Sequence, residues 1–187
     1  MQSRFEEYLI DLCAPTLAGI KVGSLFLYIT EEDENLHAII NYWNQRLSSK
    51  GIRICIVKER EDGGLVYVFR PEMLKGLLNC QDITCFLDSR GFAACGNSEK
   101  CIEHLKSCFY NEPSFPHEIG IFLGYPLEDV KGFIEHKGRN SNLCGLWKVY
   151  GEPETAKKMF ARYKNCFNIY KQRFAKGSNI LELTVAT

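Results

Sequence analysis

The stretch Phe115 to Gly138, FPHEIGIFLGYPLEDVKGFIEHKG, constrains the fold more than any other part of the chain. Ile119, Phe122 and Leu123 recur at i, i+3 and i+4, and Leu127, Val130, Phe133 and Ile134 repeat that spacing, which predicts two amphipathic helices. The joint between them is Gly124-Tyr125-Pro126. Gly124 suits a left-handed helix end, Pro126 suits the first turn of the next helix, and Glu128 and Asp129 face that helix's positive end. His136 and Lys137 fall in its last turn, with Gly138 as the stop. Helix packing does not account for Pro116-His117-Glu118, which puts an imidazole and a carboxylate directly after a proline.

Three further runs stand out: CAPTLAGIK at Cys13 to Lys21, FRPEML at Phe69 to Leu74, and CGLWKVYG at Cys144 to Gly151. With the central stretch they resemble an uncharacterised bacterial family of chains of about this length, a domain of unknown function of the DUF3793 type. The family more often has tyrosine before the Arg-Pro, where this chain has Phe69. The resemblance spans nearly the whole chain and implies no activity, so function is read from the residues themselves.

At 187 residues the chain is expected to form one domain, residues 1–187, large enough to bury a core without metal or disulfide support. Lysine plus arginine equal aspartate plus glutamate, 23 each, so no net field draws in nucleic acid or an anionic membrane surface. Glu6, Glu7 and Asp11 interrupt the apolar pattern of the first residues, unlike a signal peptide, and nowhere do about 18 apolar residues run together. These features predict a cytoplasmic protein with no membrane span and no nucleic-acid partner. Without an export signal the nine cysteines read as reduced thiols, each with core filling as its simplest role.

Ser3 and Glu6 have capping-box spacing, and Phe5, Tyr8, Leu9 and Leu12 predict a helix that Pro15 ends. Leu25 to Ile29 reads as a strand. Thr30 and Asp33 are candidate caps for a helix whose first turn is Glu31 to Glu34 and whose buried face carries Leu36, Ile39, Ile40, Trp43 and Leu47. Ile52 to Val57 and Leu65 to Phe69, joined by a charged connection ending in two glycines, predict a hairpin over 52–69. Helices are expected after Pro71, around Ile83 to Leu87, and from Asn97 or Ser98 to about Tyr110. Cys144 to Tyr150 alternates as a half-buried strand, a long helix follows Pro153, and Ile180 to Val185 reads as an edge strand. The expected class is α+β, with a mixed sheet of about four or five strands covered by helices. A parallel Rossmann sheet is excluded by the hairpin and by the lack of GxGxxG.

Three elements are candidates for one site. The glycine-bearing loop at Cys13 to Lys21 offers Thr16 and Lys21, although it lacks the GK[ST] of a P-loop. At the Arg70-Pro71 junction an arginine meets a helix start, a grouping that holds carboxylates and phosphates. His117 is the third element, and Lys148 on the late strand could join it. Together Thr16, Lys21, Arg70, His117 and Lys148 would bind a small anionic molecule; a protein-interaction domain is the companion reading. A different class is a thiol enzyme, with Cys13 as nucleophile, His117 as base and Glu118 orienting the imidazole. The His117-Glu118 pair lacks the second histidine of HExxH. A third reading is metal held by Cys95, Cys101, His104 and Cys108, or haem ligated by His104 or His117. Ile102, Leu105 and Phe109 form an apolar stripe beside these cysteines, so core packing is the simpler account and no cofactor is favoured.

Overall fold

The computed structural model describes residues 3–92, 97–111 and 115–186. Strands β1 (Gly23–Ile29), β2 (Arg53–Arg60) and β3 (Gly63–Phe69) form an antiparallel sheet in the order β1-β3-β2. The charged connection closes tightly at Glu61-Asp62, and Arg60 pairs with Gly63, so the glycines belong to β3 itself.

The period-two alternation of the strands divides the interior into two layers. Phe26, Tyr28, Ile54, Val66 and Val68 face a core shared with α1 (Arg4–Leu17), α2 (Leu36–Leu47), α8 (Pro153–Ala175) and α9 (Ile180–Leu183). Val57, Tyr67 and Phe69 face a second core. It is filled by α3 (Pro71–Leu78), α4 (Gln81–Ser89), α5 (Ser98–Asn111), α6 (Ile119–Phe122) and α7 (Leu127–Glu135). A third, smaller cluster joins Trp147 and Val149, from a hairpin of β4 (Leu143–Cys144) and β5 (Lys148–Val149), to Ala156, Phe160 and Tyr163 of α8.

The class is mixed helix and strand, but among the described residues the sheets have three and two strands and every pairing is antiparallel, where a single mixed sheet of four or five was expected. The run from Cys144 to Tyr150 does not extend as one strand. The Gly145 N–H donates to the Trp147 carbonyl at 3.0 Å and folds the run back on itself, although the expected alternation survives, with Trp147 and Val149 buried and Lys148 exposed. The supposed edge strand after Ile180 is the short helix α9, opened by a capping box between Asn179 and Glu182. Helix α1 runs through Pro15 to Leu17, losing the one bond that the Pro15 nitrogen cannot donate, and does not end at the proline. Helix α2 begins only at Leu36, capped by the Asn35 side chain, because Glu34 is engaged by the Tyr28 hydroxyl at 2.9 Å and by the Glu31 N–H at 3.0 Å. Among the described residues no helix is long and apolar enough to cross a membrane.

Candidate functional site

The central stretch folds as one helical turn, a sharp corner and a second helix. Gly124 takes a left-handed φ of 75°, and the Tyr125 N–H returns to the Gly120 carbonyl at 2.9 Å. The corner is pinned to the sheet by Tyr67 of β3, whose hydroxyl donates to the Phe122 carbonyl at 2.6 Å. Pro126 then stands at the N-cap of α7, one position before the first turn where the spacing put it.

The side chain that assembles the site is Asp129, in the first turn of α7 and 3% exposed. One carboxylate oxygen accepts from the Trp147 indole N–H at 2.7 Å; the other accepts from the backbone N–H groups of Tyr150 and Gly151 at 2.7 and 2.9 Å. This clamps the β4–β5 hairpin onto α7. The approach is so close that a Cβ on Gly132 would stand 2.4 Å from the Tyr150 ring, which explains a glycine in the middle of α7.

Between α7 and the hairpin lies a cavity of about 420 Å³, within the range of small-molecule sites. Its walls include Phe115, Tyr125, Phe133 and Trp147, with Tyr125 stacked on Trp147 at 4.6 Å and 22°. His117 and Lys148, both exposed residues, also line it. The His117 ring meets Phe133 edge-on at 4.8 Å, and the Lys148 ammonium donates to the Gly138 carbonyl. Cys144, an exposed free thiol, lies on the same wall.

The other candidates sit elsewhere. Arg70 is 1% exposed, and its guanidinium donates to the carbonyls of Thr16 at 2.6 Å, Leu17 at 2.7 Å, Val185 at 2.7 Å and Lys50 at 3.3 Å. Two of these are the last carbonyls of α1, the negative end of a helix that has no basic residue in its own last turn. Arg70 therefore closes α1 and holds the chain end against it; it does not line the cavity. Thr16 is fully buried and shares a 2.9 Å hydrogen bond with Ser24. Lys21 lines a different, smaller cavity.

Cys13 is wholly buried in the first core, and burial pushes its thiol up to about 12, opposite to the shift an activated nucleophile needs. Glu118 does not orient His117. Its buried carboxylate pairs with Arg90 at 2.5 Å, across to the end of α4. Cys101 and Cys108 are buried in the second core, and the His104 ring packs on Phe92 at 4.4 Å. Cys95 lies outside the described residues. Among the described residues no group of three or more His, Cys, Asp or Glu side chains is placed to hold a metal.

A family model described as "Protein of unknown function (DUF3793)" matches residues 9–184. The chain belongs to this family. Comparison with curated proteins and with solved structures finds no match. The DUF3793 match takes in both segments that enclose the cavity, the one from Phe115 to Gly138 and the one from Cys144 to Gly151. Asp129 was legible in the sequence only as a helix-dipole partner. A signal for its larger part was present in Trp147, since a buried indole N–H needs an acceptor and α7 offers a carboxylate.

Proposed function

We propose that this protein binds a small carboxylate whose apolar or aromatic body fills the cavity between α7 and the β4–β5 hairpin. The observation that carries the reading is the presence of His117 and Lys148 in a cavity whose walls are mainly aromatic and aliphatic; its other polar side chains are Cys144 and Asp129, whose carboxylate oxygens are already taken by the Trp147 indole and by the Tyr150 and Gly151 amides. Lys148 gives one N–H to Gly138, which leaves two donors for an anion. Phe115, Tyr125, Phe133 and Trp147 supply the surface for the body, where each 100 Å² of apolar ligand area removed from water is worth roughly 2.5 kcal/mol. The anionic ligand expected from the sequence is kept, with His117 and Lys148 as its contacts and without Thr16, Lys21 and Arg70. The bacterial and cytoplasmic setting stays part of the proposal. The exposed Phe115 and Leu146 favour a second reading, in which the carboxylate is the C-terminus of a partner protein.

Thermal unfolding with benzoate, phenylacetate and indole-3-acetate, and with inorganic phosphate as control, checks the proposal. An aromatic carboxylate at a hundred times its Kd should stabilise the fold by about 2.7 kcal/mol, and phosphate, which has no apolar body, should do much less. Lys148→Met should weaken binding by about tenfold or more, the worth of one charge-assisted hydrogen bond. A wild-type protein indifferent to all three acids, or a Lys148→Met protein that responds as wild type, rejects the site. A short peptide with a free, hydrophobic C-terminus that outbinds the free acids selects the second reading.

A further inference from the structure

A second cavity, of about 140 Å³, shares Tyr125, Leu146 and Trp147 with the first and is otherwise walled by Pro15, Tyr163 and Phe167 around Lys21. The backbone places Lys21 firmly. After α1 the chain turns at Gly19, φ 71°, and the N–H groups of Ile20 and Lys21 both donate to the Pro15 carbonyl, at 3.0 and 3.1 Å. The ammonium stands 5.6 Å from the centre of the Tyr125 ring. Among the described residues it has neither an ion pair nor a hydrogen-bond acceptor; lysines on the surface, such as Lys157 and Lys171, have carboxylates at 2.6 and 3.1 Å. The residue is half-buried, so a small molecule can reach it.

The titratable groups around it are the Cys13 thiol of α1, the Tyr125 phenol at the α6–α7 corner and the Tyr163 phenol of α8. Burial raises all three, so none is an anion near neutral pH. Burial of the ammonium outweighs the Tyr125 ring face and the Cys13 thiol, which favour the proton, and lowers the Lys21 pKa to about 8. By that value roughly a quarter of the amine is unprotonated at about pH 7.5, against about one part in a thousand for an ordinary lysine.

We infer that Lys21 is a carbonyl-trapping amine, and that its cavity takes small uncharged aldehydes as a covalent imine. The nitrogen lone pair attacks the carbonyl carbon and forms the C–N bond. The two hydrogens of the amine pass to the former carbonyl oxygen, which leaves as water, and the C=N bond forms with no oxidant or reductant. The aromatic walls suit an aldehyde's apolar chain. The site shares a wall with the carboxylate cavity but not its polar contacts, since neither His117 nor Lys148 lines it.

The test is site-resolved. The whole protein is incubated with propanal and sodium cyanoborohydride, which reduces the imine to a stable secondary amine, across pH 6 to 11, and adducts are located by peptide mass spectrometry. Lys21 should be alkylated at least tenfold faster than Lys157 and Lys171 at about pH 7.5, with its rate rising through a midpoint near 8; the chain's α-amino group also reacts there and is read on its own peptide. Lys21→Arg should remove the fast adduct while leaving the others. If Lys21 in the wild type labels no faster than Lys157, or only above about pH 10, the inference is overturned whether or not the variant folds.

Discussion

Replacing Arg70 by methionine should cost about 3–5 kcal/mol of stability, the largest loss expected of any single substitution discussed for this chain. The guanidinium is 1% exposed and reaches carbonyls of three separate segments: the end of α1 at Thr16 and Leu17, the turn after α2 at Lys50, and the chain end at Val185. Methionine fills much of the volume but returns none of the donors, so these carbonyls lose their charge-assisted partner. Arg70→Lys should recover less than half of the loss. A single ammonium on a flexible stem cannot match a planar fork that serves three segments at once. Urea unfolding measures both variants; the midpoint should fall with the m-value nearly constant. A loss below about 1 kcal/mol for the methionine variant would mean that the carbonyls find other donors cheaply, and the account of Arg70 as a tie between segments would be wrong.

Asp129→Ala should rank second, at about 2–4 kcal/mol, and unlike the change at Arg70 it should also abolish ligand binding in the larger cavity. The carboxylate takes three N–H groups from the hairpin and carries its charge in the first turn of α7, where the helix dipole favours it. Removing it leaves a buried indole N–H and two backbone N–H groups without their acceptor. Asp129→Asn is the sharper variant because it keeps the shape. Its amide can offer an oxygen to one side only, so an NH₂ group must face either Trp147 or the Tyr150 and Gly151 amides, donor against donor. Chemical unfolding gives the stability, and near-ultraviolet circular dichroism gives the fixed environment of Trp147. If Asp129→Ala keeps both within error, the hairpin is held by apolar packing on α8 alone.

These two residues show where the sequence was legible and where it was not. Helices α3, α4, α5 and α7 follow from apolar spacing, with Pro71 opening α3 and Gly91 and Gly138 stopping α4 and α7, and the β2–β3 hairpin follows from two β-branched runs around a charged turn, because in each case the signal is local. At Ile180 to Val185 two local signals compete: the apolar run has the look of a strand, but Asn179 and Glu182 carry the capping-box spacing that makes α9 a helix. The run at Cys144 to Tyr150 failed for a tertiary reason. Its alternation is that of a strand, yet Trp147 is drawn inward by Asp129, eighteen positions earlier, and the backbone closes around it. In the sequence Arg70 stands out as a charge at the end of an apolar run, and Lys148 as a lysine on a late strand that could join it. Only the contacts separate them, since one is sealed against the carbonyls of α1 and the other opens on a cavity. His117 and Lys148 were named together, but no spacing rule could place them on one cavity, because the link between their segments is a buried carboxylate and a glycine that lets α7 and β5 touch.

The central claim, that a carboxylate with an apolar body binds between α7 and the β4–β5 hairpin, is tested most directly by two-dimensional nitrogen–proton NMR of the whole protein during titration with indole-3-acetate. The chain has two tryptophans, Trp147 in the wall of the cavity and Trp43 in the first core, so the two indole N–H signals report the site and a distant control in one spectrum. The account predicts that the Trp147 signal and the amides of His117, Phe133 and Lys148 shift together and saturably while Trp43 stays fixed, and that Lys148→Met shifts only at much higher concentrations. Shifts centred on Trp43, or none at the cavity up to millimolar ligand, would contradict it.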